Sequence, residues 1–243
     1  MEILGHWANF ERDASRIVEQ TRANCEREFD LLRSCFDLYS EGFNALPKSG
    51  NGESQIVRIA LLSQNLNTFN VMINSASQGF YIQALIPLRN VYENWLSFWY
   101  LAKHPQEAQL WLDPTWKMHP PKAERMRNRI DHPSKQIKSK LQDFYEELNR
   151  FAHTDPAAVL SRLNRDGEKT VIDVGTRFDA GDFRACTYGL SLWLGNCLDS
   201  ISSLIPDSHE WQRRCQSAIE QTLNFIDEYN TSNGGVPVPS IED

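Results

Sequence analysis

Residues 85–101 read LIPLRNVYENWLSFWYL, and the way this stretch is satisfied decides the fold. Its apolar and aromatic side chains leave almost no polar face, so as a helix it belongs inside a bundle. Yet it carries Arg89 and Glu93 one helical turn apart, with Asn90 and Asn94 at the same spacing beside them. A charge in a core is costly unless paired and hydrogen-bonded, so these side chains must meet partners from other elements. Arg89 and Glu93 share a face and can pair with each other, although Arg preceding Glu is the weaker order on an exposed helix. The pair reads either as an ion pair that fixes helix register or as part of a site.

The helical period continues on both sides. Trp7, Phe10, Ala14, Ile17, Cys25, Phe29, Leu32, Phe36, Leu38, Tyr39 and Phe43 step by threes and fours with charges between them, which predicts one long amphipathic helix. It ends at ALPKSGNGES (45–54), where Ser54 offers a cap for a second helix over about 55–77 that Gly79 stops. The third helix, about 80–103, contains Pro87, whose missing N–H predicts a kink one turn ahead of Arg89. Four prolines in 104–122 leave room for one short helix near 106–112, followed by another over about 122–130. Ile137, Leu141, Phe144, Tyr145, Leu148 and Ala152 mark the apolar face of the next. The turn signal NRDG inside VLSRLNRDGEKTVIDVG (159–175) predicts a small β-hairpin near 158–175. Helical periodicity returns over 182–204 and 208–229, with Pro206 between and Asp207 or Ser208 as a cap. The expectation is a single all-α domain over 1–230, a bundle of six to eight helices, with a disordered tail over 231–243.

At 243 residues the chain can bury a sizeable core. Its greasiest run, 80–102, is interrupted by Arg89, Asn90, Glu93 and Asn94, so no membrane span is expected. The opening MEILGHWANFERDASR lacks the pattern of a secretory signal, which predicts a cytoplasmic protein. Five cysteines, an odd number without a C-x-x-C, fit reduced core thiols rather than disulfides or a zinc site. No metal motif, Walker loop, dinucleotide fingerprint or nucleophile elbow occurs, and no cofactor is implied.

The net charge of −7 argues against a general nucleic-acid coat, but its distribution is uneven. Residues 117–140 hold eight basic side chains against two acidic ones, so this island carries +6 and the remainder −13. Lys122, Arg125, Arg127, Arg129, Lys135 and Lys138 within it are candidate phosphate contacts for RNA or a nucleotide. A charge run of this kind is also commonly just a solvated face. Two of the six histidines stand near candidate partners. His132 ends RMRNRIDHP inside the island, where it pairs with Arg127 as one possible site. His153 follows Tyr145 and Asn149 at intervals of four, a polar stripe on one helix face, and is otherwise a helix-end dipole partner.

The pairing of L-R-x-x-x-E in an aromatic helix (Leu88, Arg89, Glu93) with a later Y-x-x-L-x-x-x-x-H (Tyr145, Leu148, His153) resembles bacterial all-helical proteins related to the HEPN superfamily (higher eukaryotes and prokaryotes nucleotide-binding), over about residues 55–160. Many members are metal-independent ribonucleases of toxin or antiviral systems that act as homodimers, with an Arg followed after four to six residues by His. Arg150 lies only three positions before His153, whereas Arg127, Asn128 and His132 fit the spacing but are followed by Pro133. The resemblance implies His153 as base or acid, Arg89 as phosphate clamp and Glu93 as orienter, with Tyr145 and Asn149 lining the pocket and Arg127 with His132 as the rival pair. The alternatives are a noncatalytic helical module that holds RNA, nucleotide or a partner protein, and a scaffold subunit of a larger complex.

Overall fold

A computed structural model describes residues 3–46, 52–115, 119–130, 142, 145–146, 148–149, 163–166, 169–172, 176–205 and 208–232. The architecture is an all-α bundle. Its helices are α1 (Ile3–Asn24), α2 (Glu26–Ala45), α3 (Glu53–Ser77), α4 (Tyr81–Leu85), α5 (Leu88–Lys103), α6 (Ala123–Arg129), α7 (Ala180–Ser202) and α8 (His209–Ser232). A 3-10 turn at Pro105–Glu107 runs into a single helical turn at Gln109–Leu112 after α5. Strands β1 (Leu163–Asp166) and β2 (Lys169–Ile172) pair antiparallel, Leu163 opposite Ile172. The hairpin expected near 158–175 thus amounts to a ribbon of four residue pairs, too short to add a sheet layer to a helical fold.

α7 is the axis of the bundle, packed by α2, α3, α5 and α8, while α3 lies along α5. Phe183, Leu190, Trp193, Leu194, Leu198 and Ile201 of α7 meet Leu32, Tyr39, Phe69, Met72, Val91, Tyr92 and Leu96 in one apolar core. α5 is as deeply set as its sequence requires, with Val91, Tyr92, Leu96, Phe98, Tyr100 and Leu101 fully buried. All five cysteines are buried and free. Burial pushes the Cys197 thiol up to about 12, so it stays a neutral core side chain at physiological pH.

Three boundaries differ from the sequence reading. The single helix expected over 7–43 is two, because Cys25 leaves helical geometry (φ −136°, ψ 43°). The hydrogen bonds Cys25 N–H to Thr21 O and Phe29 N–H to Cys25 O continue on both sides, so the break is one residue long. Thr21 donates its hydroxyl to Ser77 O, which ties α1 to the end of α3 while α2 runs along α7. Pro87 does more than kink its helix. It separates α4 from α5 and caps the latter, with Asn90 N–H bonded to Pro87 O. Ser54 does not cap α3, which follows Gly52; its hydroxyl instead donates to Leu101 O near the end of α5.

Two glycines are required by close approach. Gly79 has φ +83°, and a Cβ there would sit 2.2 Å from Arg177 O. A Cβ on Gly42 would lie 2.2 Å from Trp211 Cζ2, so the α2–α8 contact depends on a bare backbone. No helix among the described residues is long and apolar enough to cross a membrane. α8 extends to Ser232, two residues past the boundary read at 230, and the rest of the tail lies outside the described residues.

Candidate functional site

α5 begins at Leu88, so Arg89 stands in its first turn, where a cation opposes the helix dipole, and Glu93 follows one turn later. Local helix energetics therefore do not favour this arrangement, and Tyr145, from elsewhere in the chain, completes it. Arg89 Nε donates to Glu93 Oε1 at 3.1 Å, Arg89 Nη2 donates to the Tyr145 hydroxyl at 3.3 Å, and that hydroxyl donates to Glu93 Oε1 at 3.1 Å. The three close a triangle. Arg89 and Glu93 keep 31% and 35% of their side chains exposed, so one side of the triangle is open to solvent. Burial pulls the Arg89 guanidinium down, but the bonds to Glu93 and Tyr145 more than offset it and hold the cation firmly protonated.

A second arginine lies beneath. Arg127 of α6 is 4% exposed, stacks over the Tyr145 ring at 4.7 Å, and donates to the Tyr92 hydroxyl at 3.4 Å and to Gln142 Oε1 at 2.5 Å. Arg89 faces the same ring at 5.6 Å. Tyr145 thus meets two guanidinium groups and lies against Tyr92 at 5.5 Å, which itself meets Trp193 edge-on at 5.3 Å. Gln142 passes the network on to Glu146 at 2.6 Å. Burial pushes the Tyr92 phenol up, with Arg127 opposing.

The asparagines of α5 divide. Asn94 donates to Asn65 Oδ1 at 2.8 Å, and Asn65, 1% exposed, donates in turn to Val91 O and Cys197 Sγ, so this pair locks α3 to α5 and α7. Asn90 is exposed. Asn149, one turn beyond Tyr145, has a buried Oδ1 without a hydrogen-bond partner.

The basic island splits across α6. Arg127 points inward, whereas Lys122, Arg125 and Arg129 are exposed. Lys122, Arg125, Asn128 and Arg129 line an open cleft of about 500 Å³ with His119, and Arg125 and His119 also border an adjoining one of about 420 Å³ beside Gln106, Glu107 and Gln109. Arg129 is tied at 3.3 Å to Glu107 and at 3.2 Å to the Tyr100 hydroxyl, which donates to Glu107 at 2.7 Å. Glu124 lines the same cleft as the one carboxylate among its described lining residues, beside Lys122, Arg125 and the Glu107-paired Arg129.

Of the residues singled out in the sequence, Arg89, Glu93, Tyr145 and Arg127 come together in one network, with Asn149 one turn along. Lys122, Arg125 and Arg129 line the neighbouring cleft. His132, His153, Lys135 and Lys138 lie outside the described residues. Tyr92, Gln142 and Tyr100 were not singled out; a tyrosine or glutamine on a helix carries no signal of its own until its partner is known. Compared with family models, curated protein sequences and solved structures, the chain matches none.

Proposed function

We propose that this chain is an RNA- or nucleotide-binding helical protein that cleaves RNA without a metal, with its phosphate contacts at the Arg89–Glu93–Tyr145 triangle and the cleft beside α6. The observation that carries the reading is the convergence of a guanidinium, a carboxylate and a phenol within 3.1–3.3 Å, open to solvent, in an order that helix stability does not favour. Arg89 suits a phosphate clamp, because its planar fork matches phosphate oxygens, and Glu93 and Tyr145 fix its orientation. Lys122 and Arg125 supply sequence-independent attraction for the backbone of a bound strand.

In the reaction, a histidine takes the proton of a ribose 2′-hydroxyl, the 2′-oxygen attacks the adjacent phosphorus, and the bond to the 5′-oxygen breaks as that oxygen gains a proton. Arg89 stabilises the charge that develops on the phosphoryl oxygens. The products are a 2′,3′-cyclic phosphate and a 5′-hydroxyl. His153 is assigned as base or acid, with His132 as its rival.

The test is incubation of wild type, His153→Ala and Arg89→Ala with a mixed RNA pool in EDTA, reading product ends, alongside binding of a single-stranded oligonucleotide. Arg89→Ala removes an ion pair that is about a third exposed, and such pairs contribute roughly 0–1 kcal/mol, so the variant is expected to stay folded. Cleavage to cyclic ends by wild type alone supports the assignment. Intact RNA with wild type, folded and binding, removes the catalytic step. A second reading, a noncatalytic subunit that holds a partner protein, is favoured by the way Tyr145 both accepts from Arg89 and donates to Glu93 inside the chain. Absence of RNA binding by wild type selects it.

A further inference from the structure

RNA cleavage through a 2′-oxygen moves two protons. A histidine takes one from the 2′-hydroxyl, and another must reach the 5′-oxygen as its bond to phosphorus breaks, because an alkoxide leaves poorly unless it is protonated. The donor has to stand beside the clamped phosphate. At the triangle, Arg89 is held firmly protonated, and Glu93 Oε1 accepts from both of its neighbours, so neither offers a proton. The Tyr145 hydroxyl has one to give, and it lies 3.3 Å from Nη2 of the guanidinium assigned to the phosphate.

We infer that Tyr145 is the general acid of this cleavage, giving its phenolic proton to the 5′-oxygen of the leaving strand. This role rests on the ribonuclease reading and supplies the proton transfer that the histidine leaves open. The 2′-oxygen forms its bond to phosphorus while the bond from phosphorus to the 5′-oxygen breaks. The departing oxygen keeps the electron pair of that bond and uses it to take the proton of Tyr145. The phenolate recovers a proton from solvent as the histidine releases the one it took, so none is gained or lost over a turnover.

The surroundings of Tyr145 suit a proton donor better than a brace for Arg89 alone. Charge left on a phenolate spreads into its ring, and two guanidinium groups face that ring, Arg127 at 4.7 Å and Arg89 at 5.6 Å. A brace needs only the first-turn contact with Arg89 and has no use for a second cation over the ring. Glu93, at 3.1 Å, opposes the phenolate, but Arg89 Nε compensates that carboxylate at 3.1 Å. In the resting site Glu93 also fixes the direction of the hydroxyl proton. Arg89 and Glu93 are 31% and 35% exposed, so a strand can approach from the open side.

The test changes the leaving atom. Two short single-stranded oligonucleotides carry one ribonucleotide each, at a linkage that wild type cuts in the mixed RNA pool. They differ only in the bridging atom that follows, 5′-oxygen or 5′-sulfur. A thiol ionises near pH 8.5, below a phenol at about 10, so a thiolate departs without a proton. Single-turnover rates are read in EDTA with saturating full-length protein. Tyr145→Phe keeps the ring and its contacts with Tyr92 and Arg127 and removes only the hydroxyl. It is expected to slow cleavage of the oxygen-linked strand by about 10²–10⁴-fold and to leave the sulfur-linked rate within a few-fold of wild type. Arg89→Ala slows both strands alike, since charge on the phosphoryl oxygens develops with either leaving atom. A ring-fluorinated tyrosine at position 145, whose phenol is more acidic, keeps the hydroxyl and moves the alkaline fall-off of oxygen-linked cleavage to lower pH. Tyr145→Phe slowing both strands equally, cutting the oxygen-linked strand as wild type does, or an alkaline limb unmoved by fluorination overturns the inference and leaves the ribonuclease reading standing. A wild type that cuts no RNA overturns both.

Discussion

Replacing Arg127 by Met tests how the second arginine holds the site. Arg127 is 4% exposed, so its guanidinium has given up most of its hydration, and Met keeps much of the side chain's length and apolar bulk. Several contributions are lost or regained. The short bond to Gln142 is charge-assisted, a class worth about 1.5–3 kcal/mol, while the 3.4 Å contact with Tyr92 is at the weak limit. The cation over the Tyr145 ring at 4.7 Å adds about 0.5–2 kcal/mol. Against these, Met removes the desolvation penalty of a buried cation, which amounts to several kcal/mol for an unpaired ion and less for one already solvated by a phenol, an amide and an aromatic face. We expect a net destabilisation of about 1–3 kcal/mol. For a chain of this size each kcal/mol moves Tm by roughly 2–4 °C, so the melting point falls by about 2–12 °C. The effect should also be local. Hydrogen exchange at Gln142, Tyr145, Glu146, Leu148 and Asn149 should rise more than that of α7, because Arg127 joins this segment to the bundle. A variant that melts at or above the wild-type temperature, with unchanged exchange at these residues, refutes the claim that Arg127 holds Tyr145 in place.

Gly42→Ala should destabilise the chain by about 1–3 kcal/mol, the cost of overpacking, because its Cβ would fall 2.2 Å from Trp211 Cζ2 and 2.9 Å from Ile201 Cγ2. Chemical denaturation gives the value, and Trp211→Leu in the same background should recover part of it. At alkaline pH, Cys197 contributes a loss of stability of known sign. Its folded value of about 12 lies above the ordinary 9.0, so its share of stability is complete below pH 9 and declines as pH rises towards 12. The slope is about 1.4 kcal/mol per pH unit for one such group. Cys197→Ala should flatten denaturation free energies measured over that range, and an unchanged slope would count against the burial of this thiol.

The helical bundle was legible because its signals are redundant. α5 announces itself through an apolar run too long for a strand and too interrupted for a membrane, and Gly79, with φ +83°, ends α3 where its residue type suggests. The break at Cys25 was not legible, since neither Pro nor Gly stands there and the apolar period continues through it. What separates α1 from α2 is tertiary, the tie from Thr21 to Ser77 on one side and the α2–α7 contact on the other. Ser54 illustrates the same limit: the helix begins at Glu53 with Gly52 at the cap position, so the serine falls in the first turn, and its hydroxyl donates to Leu101 O at 2.9 Å. Within the site, the spacing of four sets Arg89 and Glu93 on one face, where both meet Tyr145. The missing information was which arginine of α6 turns inward.

Arg125, Arg127 and Arg129 alternate with Met126 and Asn128, a pattern in which the sequence offers no ground for treating one arginine differently from its neighbours. Helical geometry breaks the equivalence. Residues two apart stand about 200° from each other, so any wall that buries Arg127 must leave Arg125 and Arg129 on the other side. The wall is aromatic, built from Tyr92 and Tyr145, and a guanidinium is the cation best suited to it because it is weakly hydrated and stacks on rings. One short helix thereby gives the same residue type two different tasks. Arg127 orders the tyrosine that orients Arg89, and Arg125 and Lys122, opposed by Glu124, face the adjoining cleft in an otherwise acidic protein. Counting the island as a uniform +6 surface therefore overstates its attraction for an anion. Arg127 is withdrawn from solvent and Arg129 is neutralised by Glu107 at 3.3 Å. The salt dependence of RNA binding should accordingly respond to Lys122→Ala and Arg125→Ala, each lowering the slope by about one, while Arg127→Met should weaken binding with the slope largely intact.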